Sequence, residues 1–134
     1  MALQVRIRED AGPLKVEDDH ELDEVLRTAT EEARRHGTLG AILIEAPNGN
    51  VITMVVGGGD ETALGFDYGH HAPPHYASRG PSKDNDPILT CQLTFQHHTE
   101  FPRKNVIPFA DGVKAVRQFL HSSDLPACIN WEEV

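Results

Sequence analysis

Two β-rich runs, Leu39 to Ala46 and Asn50 to Val56, are separated by Pro47-Asn48-Gly49. Asn-Gly between such runs is the strongest short-range hairpin signal a sequence carries. Both residues tolerate the positive φ of a tight reversal, and the flanking branched side chains favour extended backbone. A second turn, Gly57-Gly58-Gly59-Asp60, leads into a third meander strand near Thr62 to Phe66. Three glycines also invite comparison with a phosphate cradle. No lysine follows them, no helix begins there and the spacing is wrong, so a hairpin turn is the better reading.

Around this meander the chain alternates strand and helix. Leu3 to Arg8 alternates apolar and polar residues, as a half-buried strand does, and Gly12-Pro13 breaks it. Asp18 or Asp19 then caps a helix reaching about His36. Leu22, Val25, Leu26, Ala29 and Ala33 form its apolar stripe, acids sit in its first turn, and Arg34, Arg35 and His36 precede a Gly37 stop. From Asp67 to Asp86 the sequence reads as a long irregular surface loop, rich in His, Pro and Asp. A fourth strand is expected at Ile88 to Phe95. A second helix, about Phe109 to His121, turns Val113, Val116, Phe119 and Leu120 inward, and a closing strand spans Cys128 to Glu132. The order predicts one α+β domain over residues 1–134, with an antiparallel sheet of about five strands around a central meander. Two main helices pack on one face of it.

Charge and composition narrow the function. The 134 residues carry a net charge of −9, and ten of the 21 acids fall between Glu9 and Glu32. A protein of this sign is repelled by nucleic acid and by anionic membranes, which leaves a basic partner or plain solubility. No apolar run approaches the ~20 residues of a membrane span, and the alternating N-terminus lacks the core of a signal peptide. Cys91 and Cys128 are too few for a disulfide framework and are not spaced as a metal knuckle. Scattered thiols suit a reducing compartment, and the expected location is cytoplasmic.

Candidate chemistry is sparse. Five of the eight histidines, His70, His71, His75, His97 and His98, cluster around the middle loop and the end of the fourth strand. His71 and His75 have a metal-like spacing, but Pro73-Pro74 between them forbids the helix that would align the rings. His98-Thr99-Glu100 has the His-x-Glu form of zinc deaminases without the Pro-Cys-x-x-Cys half, and reads as a turn between strand and helix. Cys91 reads as core filler, and no Gly-x-Ser-x-Gly elbow occurs. We expect no catalytic residues, cofactor or metal. A small enzyme or metal-binding domain using the His-rich loop is the alternative.

The C-terminal stretch adds a resemblance. Glu100-Phe101-Pro102, Val106-Ile107-Pro108, Ala115-Val116-Arg117-Gln118-Phe119-Leu120 and the closing Leu125-Pro126-Ala127-Cys128-Ile129-Asn130-Trp131-Glu132 resemble the immunity protein 1 family. Members of that family are antidotes to bacterial polymorphic toxins. The resemblance implies a non-enzymatic inhibitor that binds a cognate toxin domain, often a nucleic-acid deaminase, as a monomer in a 1:1 complex and occludes its active site. Such a toxin has a basic substrate channel, onto which an acidic protein is steered. Acids at Asp60, Glu61 and Asp67 would stand where phosphates lie. Tyr68, His70, His71, His75, Tyr76 and Arg79 supply the aromatic and Arg content of interface anchors. Trp131, alternating with Asn130 beside Ile129, is expected in the core.

Overall fold

The computed structural model describes residues 2–7, 12–37, 40–70, 72–80, 89–93, 98–101 and 103–134, with the side chains at 36, 89–93, 98–101 and 103 outside that description. Strands β1 (Leu3–Arg6) and β2 (Leu14–Val16) precede helix α1 (Asp19–His36). The hairpin follows as β3 (Gly40–Glu45) and β4 (Val51–Val56), then β5 (Glu61–Thr62), β6 (Leu64–Asp67) and β7 (His75–Ser78). After β8 (Leu89–Leu93) and β9 (His98–Phe101) come a 3₁₀ turn at Arg103–Asn105 and β10 (Ile107–Pro108). Helix α2 (Phe109–Ser122) and β11 (Trp131–Glu133) complete the chain. The main sheet runs β11-β7-β6-β4-β3-β1-β2, antiparallel throughout, with β8 joined in parallel to β3 and antiparallel to β9. β5 and β10 form a separate two-stranded sheet. The fold is α+β, as the element order predicts.

Helix α1 matches its expected limits because its ends are satisfied locally. Asp18, in extended backbone at φ −143°, accepts from the Glu21 amide at 2.8 Å, and Glu21 reaches back to accept from the Glu17 amide at 2.9 Å. Gly37 closes the helix at φ +70°, donating to the Ala33 and Arg34 carbonyls. The hairpin turn is the three-residue form: Gly49 donates to Ala46 at 2.9 Å and takes φ +89°.

Register sorts the strands into two faces. Val5, Ile44, Ile52 and Phe66 lie opposite one another across four strands, flanked by the row Ile42, Met54 and Leu64. All seven are essentially inaccessible. Leu22, Leu26 and Ala29 of α1 and Ala115, Val116, Phe119 and Leu120 of α2 join them in one core. Phe119 meets Phe66 edge-on at 6.0 Å. α2 approaches the sheet so closely that a Cβ on Gly112 would stand 2.6 Å from Thr62 Cγ2. Both helices therefore cover this face. The other face presents Gln4, Glu45, Val51, Asp67 and His75 in one row and Arg6, Leu43, Thr53, Gly65, Ala77 and Glu132 in the next.

Several expectations need correction. The sheet has more strands than five: β2, β7 and β9 were not expected. His75 to Ser78, read as loop, is a strand because Gly65 to Asp67 and Trp131 to Glu133 pair with its two edges. His98-Thr99-Glu100, read as a turn, lies in β9. The third meander strand divides at Ala63, whose carbonyl stays with Val55 while Thr62 pairs with Ile107. The closing strand begins at Trp131, not Cys128, because the Ala127 and Cys128 amides donate to Gln118 Oε1. Readings at His71, His97 and residues 81–88 fall outside the described residues.

Candidate toxin-binding surface

The residues expected to bind a partner occupy three places. Asp60 and Glu61 sit at the start of α2, which has no side-chain N-cap; the Asp60 carbonyl accepts from the Phe109 amide at 2.6 Å, and Glu61 lies opposite Pro108. They stand at the opposite end of β6 from Asp67, across roughly 10 Å of strand and the bend at Ala63. Asp67 and His75 face each other across β6 and β7 on the helix-free face and form an ion pair, each about half exposed. Tyr68, His70 and Tyr76 lie toward the helix-covered side, where the sheet extends past the end of α2.

That third group is built from two directions. Tyr76 is opposite Phe66, and so belongs to the core row, but no helix residue covers it fully and it remains half-buried. Tyr68 packs edge-on against Phe66 at 5.0 Å and against Tyr76 at 6.4 Å, and exposed His70 stacks on Tyr68 at 5.6 Å with rings 21° apart. The Ala72 amide donates to His70 Nδ1 at 3.0 Å and holds the ring there. Burial first, then Tyr76 and Asp124, push the Tyr68 hydroxyl above its ordinary pKa. Trp131 is half-buried, not sealed inside: it meets Phe66 at 6.1 Å and its indole N–H donates to the Pro126 carbonyl at 2.7 Å.

The hairpin turn fixes this end of the molecule. Buried Asn50 accepts from the Gly69 amide at 2.9 Å through Oδ1 and donates through Nδ2 to the Ser123 carbonyl at 2.8 Å; Asn48 donates to the same carbonyl at 2.9 Å. Gly69 must be glycine, since a Cβ would come within 2.7 Å of the Asn48 carbonyl oxygen. Thus Pro47-Asn48-Gly49-Asn50 reverses the chain, caps α2 and seats the Tyr68-Gly69 backbone together.

Arg79 ties β7 to the segment before β10 and to β11. Its guanidinium donates to the Lys104 carbonyl at 2.8 Å and lies 3.7 Å from Glu132, which also pairs with Lys104 at 3.2 Å. Hydrogen bonding from Asn105 chiefly, and then the Lys104 and Arg79 charges, hold the Glu132 carboxyl below its usual range against partial burial. Sequence reasoning missed this knot, as it missed Asp124, because Glu132 meets its partners only once β11 pairs with β7. A shallow groove between α1 and α2 runs along Leu26, Phe109 and Val113, with Asp23, Arg27, Glu31 and Arg34 alternating in sign beside it. Among the described residues no group of three or more His, Cys, Asp or Glu could hold a metal ion, and no helix is long and apolar enough to cross a membrane.

The architecture is an α+β fold with one sheet face under two helices and several surfaces rich in acids and aromatics. Residues 10–133 match the family model described as Immunity protein Imm1, and the chain belongs to this family. No curated protein matches it.

Proposed function

We propose that this chain is the immunity partner of one cognate toxin domain, a nucleic-acid deaminase. It acts in the cytoplasm as one non-catalytic domain in a 1:1 complex, and it inhibits by occluding the toxin's active site. Family membership across residues 10–133 carries the reading. The net charge of −9 supports the choice of target, because an enzyme acting on nucleic acid presents a basic channel that attracts an acidic protein. Asp60 and Glu61 at the start of α2, and Asp67 with His75 on the helix-free face, provide carboxylates that stand in for phosphates. Tyr68, His70 and Tyr76 provide aromatic contact area.

The test is co-expression with the toxin domain encoded beside this chain. Growth is rescued, the two proteins co-purify, and added protein suppresses deamination of single-stranded DNA by the isolated toxin. Absence of both rescue and co-purification defeats the proposal. Unchanged inhibition when Asp60, Glu61 and Asp67 are replaced together by their amides removes the phosphate-mimic part of it.

A further inference from the structure

We infer that the aromatic strip formed by Tyr68, His70, Tyr76 and Trp131, bordered by Asp124 and Glu133, is a binding site for an arginine side chain of the partner protein. Three features converge on it. First, four rings remain half-buried or exposed at one end of the helix-covered face, anchored from beneath by Phe66, which touches Tyr68 and Trp131. Elsewhere on that face the rows consist of buried Leu, Ile, Val, Met and Phe. A guanidinium is attracted to the π faces of such partly exposed rings.

Second, the strip borders on negative charge. Asp124 is exposed and directly follows Ser123, whose carbonyl is tied through Asn50 to the Gly69 amide beside Tyr68. Exposed Glu133 stands directly opposite Tyr76 across β11 and β7, and therefore on the same face. Among the described side chains, the cations Arg79 and Lys104 at this edge of the sheet are engaged by Glu132, whose side chain belongs to the other face. Third, the strip is preorganised. Asn50 and Asn48 tie Gly69 and the end of α2 together, and the Trp131 indole is fixed on Pro126. A rigid aromatic surface loses little entropy when it is covered.

A planar cation suits this surface better than an ammonium, because it stacks on tyrosine and still offers its edge N–H groups to carboxylates. The occupant follows from charge complementarity with the −9 chain: an arginine from a basic partner. The inference rests on the toxin-binding reading above for the identity of that partner.

The experiment uses the whole chain and a defined probe, the peptide acetyl-Gly-Arg-Gly-amide, followed by fluorescence of the single Trp131 and by NMR of the tyrosine rings. The arginine peptide gives a saturable response at Trp131, Tyr68 and Tyr76, and the isosteric neutral citrulline peptide binds at least about fivefold more weakly. Asp124→Asn, which keeps the oxygen that accepts from the Leu125 amide, and Glu133→Gln each weaken the arginine response roughly 2–5-fold, the range expected for exposed charge and cation–π contacts. Glu17→Gln, at an exposed position just before α1, changes nothing. Equal responses to both peptides, or full responses in the Asp124→Asn/Glu133→Gln double variant, overturn the inference.

A pull-down with the toxin separates this claim from the one it rests on. Toxin held as tightly by Tyr68→Leu/Asp124→Asn/Glu133→Gln as by the native chain overturns the arginine site and leaves the immunity role standing. An arginine-selective peptide response without any toxin binding supports the site and defeats the immunity role.

Discussion

The two faces of the main sheet are made from the same strands but follow different rules. On the helix-covered face, Val5, Ile44, Ile52 and Phe66 form an unbroken apolar row. One residue further along each strand, on the helix-free face, the row reads Gln4, Glu45, Val51, Asp67 and His75. The first row is fixed by packing, where burying each large side chain contributes about 1.5–3 kcal/mol. The second row is constrained far less by stability, and its composition is correspondingly free to serve recognition. The difference predicts that sensitivity to substitution alternates residue by residue from Val51 to Met54 of β4 and along β6; Val55, though on the helix-free face, is fully buried.

The largest effect is expected at Phe66. It is fully buried, and Tyr68, Phe119 and Trp131 all rest on it. Phe66→Ala should cost about 3–5 kcal/mol in urea unfolding. Thr53→Ala, on the helix-free face of the adjacent strand, should change stability by no more than about 0.5 kcal/mol. Comparable losses at both positions would break the distinction between the faces.

Asn50→Ala comes next. The substitution strands the Gly69 amide and removes one of the two donors to the Ser123 carbonyl, at an expected cost of about 1–3 kcal/mol. It should also increase exchange of the Gly69 amide with solvent more than that of amides in β1. A variant as stable as the native chain, with Gly69 still protected, would show that packing and not the asparagine pair holds the turn against α2.

Much of the covered face was legible from sequence, because hydrophobic periodicity records what packing demands. The α1 stripe is an example: Leu22, Leu26, Ala29 and Ala33 are buried and Val25 is half-buried. The caps at Asp18 and Gly37 were equally plain, since they are satisfied within a few residues. What was not legible depends on distant pairing. His75 to Ser78 carries no strong strand pattern and becomes a strand only because β6 and β11 flank it. Glu132 reads as one of two adjacent acids until pairing sets it beside Asn105, Lys104 and Arg79. Among the candidate binding residues, Tyr68, His70 and Tyr76 come together, whereas Asp60 and Glu61 stand apart and Arg79 is bonded to the Lys104 carbonyl beside Glu132.

Glu132 shows that the helix-free side also has a structural anchor, and acid titration tests it. Its folded pKa is lowered, so its stabilising contribution is present above the usual carboxylate range and is lost as pH falls through the folded value. Glu132→Gln should therefore be less stable than the native chain at neutral pH, with the two urea midpoints converging under acid. A gap that persists unchanged at low pH would mean that shape, not charge, holds the knot.

The smallest effect on stability is expected at Asp67. Its partner His75 is similarly exposed, and among the described residues neither side chain bonds to a helix; the pair joins two strands already joined by backbone pairing. Exposed ion pairs contribute about 0–1 kcal/mol and weaken as salt screens them. Asp67→Asn retains an oxygen that can accept from His75, so its loss should lie at the bottom of that range and vanish in high salt. Phe66 is its immediate neighbour in sequence, with the opposite expectation. That adjacency makes the pair the sharpest test of the two faces: a loss at Asp67 above about 1 kcal/mol that survives high salt would show this row to be built for stability as well.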